Sequence, residues 1–152
     1  MTVLQKIPAK KLMKFMRFWP PYLASGIKVD AINEDFTKIQ VSMKQYPWNT
    51  NYVGVHFGGS LYSMSDPFYM FILLEHLKKD FIVWDKEAKI KFIKPGKGKV
   101  RINFEIELSR ISEIKSEAIE KGKAEPEFET YIYDEKDQVI AHVWKKLYVR
   151  KK

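Results

Sequence analysis

The sequence predicts a single α+β domain over residues 1–152: a strongly curved antiparallel sheet of about six strands wrapped around a long central helix, with a further helix at the N-terminus. Three observations predict it. The run from 58 to 79 is apolar almost all round a helical projection. Segments on both sides of it alternate apolar and polar residues with the period of a strand. Those segments are joined by turns, which suggests antiparallel pairing.

In chain order, Leu12, Met13, Phe15, Met16 and Trp19 cluster at helical spacing among lysines, so a helix is expected within residues 1–20, closed by Pro20-Pro21. A basic amphipathic helix can lie on a membrane; a lid packed on the core is the preferred reading. Ile27, Val29 and Ala31, then Ile39, Val41 and Met43, mark two half-buried strands around the turn Asn33-Glu34-Asp35. Gly58 and Gly59 open the central helix, which carries Leu61, Met64, Phe68, Ile72, Leu73 and Leu77. A helix without a polar face belongs inside something, and a sheet must surround it. Ala88, Ile90 and Phe92, then the strict alternation from Val100 to Leu108, supply two strands around the turn at Pro95 to Gly98. A short helix is expected from Ser112, its N-cap, to Lys121, and the strands Phe128 to Tyr133 and Val139 to Val149 close the domain.

Composition bounds the function. Apolar residues make up 45% and charged residues 30%, and no apolar run approaches the roughly 18 residues of a membrane span. The absence of cysteine excludes disulfides, thiolate nucleophiles and Cys-based zinc sites. The start of the chain lacks the pattern of a secretory signal, so a cytoplasmic location is expected. A net charge of +8 fits nucleic acid, an anionic surface, a phosphorylated small molecule or plain solubility.

The chemistry concentrates between Asn51 and Pro67. Paired glycines at the start of a buried helix let backbone approach a ligand, and their N–H groups can polarise a carbonyl. Asp66 is the only acid between Asp35 and Glu75. A carboxylate on an apolar helix is costly unless a site solvates or pairs it, and desolvation suits it to general base work. Pro67 should bend the helix there and free the Ser63 carbonyl. Asp66-Pro67 reads equally well as an N-cap with proline at the first helical position, which would make residues 58–65 a loop. The residues alone leave both readings open.

The segment resembles the acyl-CoA thioesterases of the hotdog superfamily, the branch typified by the phenylacetate-pathway enzymes. Their motif is Asn-x-x-Gly-x-x-His-Gly-Gly, with a catalytic Asp or Glu nine residues after the His. Asn51, Gly54, Gly58 and Gly59 fall in register, and Asp66 lies nine residues after Phe57, which stands in place of the motif His. His56 is displaced by one position and does not inherit that role. The Phe-Gly-Gly version is most similar to an uncharacterised branch. The resemblance covers most of the chain and favours the helical reading of 58–79. It implies a hotdog fold and hydrolysis of an acyl-CoA or related thioester. In it, Asp66 activates water or attacks the thioester, the Gly58 N–H, with Gly59 beside it, polarises the carbonyl, and Asn51 acts from across a subunit boundary. A homodimer, or a dimer of dimers, is thereby implied. Asp85, His56 and Phe57 fall on the substrate side, and no cofactor is implied beyond the coenzyme A of the substrate.

Lys94, Lys97 and Lys99, with Arg101, can hold coenzyme A phosphates as point charges, or form a solvated hairpin tip. His56, His76 and His142 lack metal-ligand spacing, and His76 reads as helix surface. There is no Gly-x-Ser-x-Gly elbow and no phosphate loop. Trp48, Tyr52 and Tyr69 line an acyl pocket or pack the core. Two rivals to the hydrolase remain. A non-catalytic acyl-CoA or fatty-acyl binder is motivated by Phe57. A nucleic-acid binder is motivated by charge alone, and the mixed signs of Arg101, Glu105 and Glu107 argue against it.

Overall fold

A computed structural model describes residues 9–152, so the part of the expected N-terminal helix before Ala9 lies outside the described residues. From there the chain forms α1 (Ala9–Phe15), a 3-10 turn (Met16–Phe18), α2 (Pro20–Ser25), β1 (Ile27–Ile32) and β2 (Lys38–Lys44). After a loop come α3 (Gly58–Ser63), α4 (Phe68–Leu77), β3 (Phe81–Phe92), β4 (Lys99–Glu105), α5 (Leu108–Glu120), β5 (Glu127–Tyr133) and β6 (Val139–Lys151). The six strands make one antiparallel sheet in the order β1-β2-β4-β5-β6-β3.

The expected architecture is present because strand alternation and the apolar helix act together. Val100, Ile102 and Phe104 turn inward from β4, while Val143, Leu147 and Val149 do so from β6. Phe68, Ile72 and Leu73 of α4 are fully buried against this wall. The Phe68 ring lies 5.0 Å from that of Phe104, and Tyr69 stacks on Phe128 at 4.7 Å. Burying side chains of this size stabilises by about 1.5–3 kcal/mol each. Met13 and Met16 are buried in the same core, which supports the lid reading of α1.

Local structure refines the expected elements and corrects two of their bounds. The first helical run ends before Pro20-Pro21 as expected, with Trp19 extended, and Pro20 then opens a second helix, α2, because proline at the first position loses no helical hydrogen bond. The central helix is present as two segments, with Met64 to Pro67 as the break. The Ser63 carbonyl, left without a bond from Pro67 as expected, takes the Asp66 N–H at 3.2 Å instead. α5 starts at Leu108, not at a Ser112 cap, and its buried stripe of Ile111, Ile114 and Ala118 explains the earlier start. The strand before it therefore stops at Glu105, short of Leu108.

Candidate active site

Residues 50–59 form a tight loop organised from within. The Asn51 Oδ1 accepts the N–H groups of Val53 and Val55, both at 3.1 Å, while Gly54 turns the chain at φ +78°. His56 pins this loop to the β3–β4 turn. Its backbone N–H donates to the Gly96 carbonyl at 2.9 Å, and its Nε2 meets the Gly98 carbonyl at 2.9 Å. A carbonyl only accepts, so Nε2 carries the proton and Nδ1 remains a buried acceptor without a partner among the described residues. Burial pushes the His56 pKa down from 6.5, so the ring is neutral.

The loop and the turn enclose a cleft of about 340 Å³. Asn51, His56, Gly58 and Leu61 form one wall, and the segment from Phe92 to Gly96 forms the other. α3 starts at this wall, and the N–H groups of Gly58 and Gly59 donate to no carbonyl among the described residues. A Cβ on Gly58 would sit 3.1 Å from the Phe92 ring, so glycine is what lets the backbone approach so closely.

A second constellation lies in the sheet wall beside the α3–α4 break. From Ala141 to Val149 β6 alternates, and Lys145 falls in the inward phase between Val143 and Leu147 with its side chain 1% exposed. Its ammonium donates to Asp66 Oδ1 at 2.7 Å. It also sits 3.1 Å from Asp85 Oδ1, off the hydrogen-bond direction, so that this oxygen is in charge contact but lacks a hydrogen bond. The Tyr62 ring lies 5.6 Å from the ammonium, and the Tyr22 hydroxyl donates to the Asp66 main-chain carbonyl. A bulge between Asp85 and Glu87 redirects β3 beside this cluster.

The electrostatics follow from two carboxylates sharing one cation. Burial, then the neighbouring Asp66 carboxylate, pushes the Asp85 pKa up to about 6 against the pull of Lys145. Burial alone would lower the Lys145 pKa, but Asp66 and Asp85 outweigh it and the ammonium stays protonated. Burial and the nearby Asp66 charge raise the Tyr22 pKa, so its hydroxyl is neutral. Asp66 itself is 43% exposed, whereas Asp85 is 23% exposed, so Asp66 is the more reachable carboxylate.

The structure thus sorts the expected site residues into two groups. Asn51, His56, Gly58 and Lys94 meet at the cleft, and Asp66 meets Asp85 at the ion cluster. Within one chain Asp66 does not line the cleft. It sits in the break between helices, and its side chain does not cap α4, whose N-cap is Pro67. Phe57 is exposed with its ring over Gly59, and neither lines the cleft. Lys94 reaches Gln138 at 3.2 Å, Lys99 lies 3.8 Å from Asp30, and Lys97 is exposed away from the cleft wall. Arg101 is engaged by Asp137. His76 is half-buried with a shielded Nε2, not helix surface. Trp48 and Tyr52 are exposed, while Tyr69 is core and donates to the Glu129 carbonyl at 2.9 Å. Lys145 was not anticipated. The signal for it was present in the sequence as a lysine in phase with Val143, Leu147 and Val149.

The fold is the hotdog fold, shared with proteins described as thioesterases. A protein of unknown function from Pseudomonas aeruginosa, described as a probable thioesterase, superposes with a TM-score of 0.83 at 22% identity, covering 96% of this chain and 97% of that one. A protein of unknown function from Chlorobaculum tepidum reaches 0.76 at 18% identity, covering 95% and 94%. A thioesterase from Haemophilus influenzae reaches 0.69 at 16% identity, covering 99% and 96%. No curated protein matches the chain. Residues 9–149 match the family described as a domain of unknown function, DUF4442, and the chain belongs to that family. Among the described residues, no helix is long and apolar enough to cross a membrane.

Proposed function

We propose that the protein hydrolyses an acyl thioester of the acyl-CoA class, with Asp66 as its general base, at a site completed by a second copy of the chain. The observation that carries the reading is the placement of Asp66: a carboxylate held by a buried ammonium at 2.7 Å yet 43% exposed is oriented and reachable. Asp66 takes a proton from water as the water oxygen bonds to the thioester carbonyl carbon. The unpaired N–H of Gly58, with Gly59 beside it, stabilises the oxyanion. Collapse breaks the carbon–sulfur bond, and the departing thiolate takes the proton back from Asp66, leaving a carboxylic acid and a thiol.

A second copy is needed because Asp66 and the cleft stand apart in one chain. β3 supports such an assembly: it is an edge strand of 12 residues, with Trp84 and Phe92 more than half exposed. In the assembled site Asn51 orients water or substrate, His56 and Phe57 contact the acyl thioester, and Lys94, Lys97 and Lys99 attract the coenzyme A phosphates. Asp85 acts through Asp66 and Lys145.

Asp66→Asn should fold, since an amide oxygen still accepts from Lys145. It should lower kcat/KM on a panel of acyl-CoAs by about 100-fold or more, the typical worth of a general base. Equal rates for wild type and variant would take Asp66 out of the mechanism. The exposed Phe57 over Gly59 favours one rival, a non-catalytic acyl-CoA or fatty-acyl binder. That rival predicts saturable thermal stabilisation by acyl-CoA with no thiol released.

A further inference from the structure

We propose that Lys145 is the positioning residue for Asp66, fixing one carboxylate oxygen through a buried ammonium that it shares with Asp85. The inference rests on the hydrolase reading above. It starts from a departure from strand logic. Val143, Leu147 and Val149 fill the inward phase of β6, and an apolar residue at 145 would complete the wall at no electrostatic cost. Burying an ammonium instead costs several kcal/mol unless partners are precisely placed around it. The partners come from two other elements, the α3–α4 break and the bulged part of β3.

A single carboxylate would neutralise the lysine. Two leave the cluster with one excess negative charge and leave the Asp85 oxygen without a hydrogen bond. The two acids are not equivalent. Asp66 takes the short, aligned hydrogen bond and the exposure, while Asp85 takes the long contact and the deeper place. The other groups facing the cluster are the neutral Tyr22 hydroxyl from α2 and the Tyr62 ring from α3. Asp85, with its pKa of about 6, gains a proton as pH falls through that value, and Lys145 then serves Asp66 alone. This arrangement holds Asp66 in one place while it accepts and returns a proton.

The test uses the full chain in four forms: wild type, Asp66→Asn, Lys145→Met, and Lys145→Met with Asp85→Asn. Two quantities are read, the melting temperature at pH 5 and 7.5 and the pH profile of kcat/KM on acyl-CoAs. Lys145→Met should be less stable, with a larger deficit at pH 7.5, where the two carboxylates face each other without a cation. Its kcat/KM should fall about tenfold or more, with the acid limb moved to higher pH, and the added Asp85→Asn should move the limb back. An equal melting deficit at both pH values, together with an unmoved limb, would reduce Lys145 to a packing residue. If Lys145→Met does not fold, Asp85→Asn alone should move the limb to lower pH, and an unmoved limb overturns the proposal. A wild type without turnover, or an Asp66→Asn as fast as wild type, removes the hydrolase reading and the positioning role with it. That result is distinct from an active wild type, a slow Asp66→Asn and a Lys145→Met that keeps the wild-type profile.

Discussion

The cleft and the ion cluster each bury a titratable side chain, and they resolve its cost in opposite ways. At the cleft, His56 bonds to the Gly98 carbonyl, pairs with no carboxylate among the described residues, and stays neutral. At the cluster, Lys145 keeps its charge because two acids accompany it. Neutralisation needs only a carbonyl at the right distance, whereas retention of charge needs partners brought from distant parts of the chain. The first solution suits a surface that receives a ligand, and the second suits one that moves a proton. The two regions should therefore respond to pH with opposite slopes.

The first effect is expected at the cleft. His56→Leu removes the bond to Gly98 and unpins the loop from the turn, a loss of about 1–3 kcal/mol at pH 7.5. His56 titrates below 6.5 when folded and near 6.5 when unfolded, so the unfolded chain binds its proton first. Its stabilisation is complete above pH 6.5 and is lost as pH falls through the lowered folded value. Urea unfolding should show the gap between wild type and His56→Leu narrowing from pH 7.5 to pH 5. A gap that stays constant would mean that His56 is not buried as a neutral ring.

Asp85 should show the reverse. Its folded pKa is raised from 3.8 to about 6, so the folded chain holds the proton more tightly. Its contribution is present below pH 3.8 and is lost as pH rises through 6. Asp85→Asn escapes that loss. Relative to wild type it should gain about 2 kcal/mol, or roughly 4–8 °C in melting temperature, between pH 4 and pH 7.5. A variant that loses ground over the same interval would show that Lys145 binds Asp85 more strongly than Asp66 does.

The same contrast explains what was legible in the sequence. One wall of the cleft is local: Asn51, His56 and Gly58 lie within eight positions, and the motif they share with Gly54 and Gly59 marked that wall, while the facing wall from Phe92 to Gly96 is brought in by the sheet. The alternation from Val100 to Phe104 and the apolar run from Phe68 to Leu77 were equally direct, because one physical cause governs each. The cluster joins residues 66, 85 and 145, and no local pattern links an acid before Pro67 to a lysine 79 positions later. Lys145 could have been noticed as a charge in an apolar phase, but not its partners. The helix break at Met64 to Pro67 was half visible: Pro67 marked the place, while the Asp66 side chain turned to the sheet instead of capping α4, a choice made by tertiary charge.

The smallest expected change in stability sharpens the comparison most. In Gly58→Ala the new methyl lies 3.1 Å from the tip of the Phe92 ring, which is 54% exposed and free to swing outward. Alanine in place of glycine at the start of α3 favours the helix by up to about 1 kcal/mol, and displacing Phe92 offsets part of that, so net stability should move by less than about 1 kcal/mol. The methyl nevertheless occupies the wall along which the thioester is proposed to lie. KM on acyl-CoAs should therefore rise several-fold while kcat and its pH profile change little, the mark of lost binding shared by substrate and transition state. Lys145→Met should do the opposite, moving the pH profile more than KM. If Gly58→Ala lowered kcat at constant KM, the methyl would be shifting the reacting carbonyl away from the Gly58 amide in the transition state instead of narrowing the wall for substrate and transition state alike.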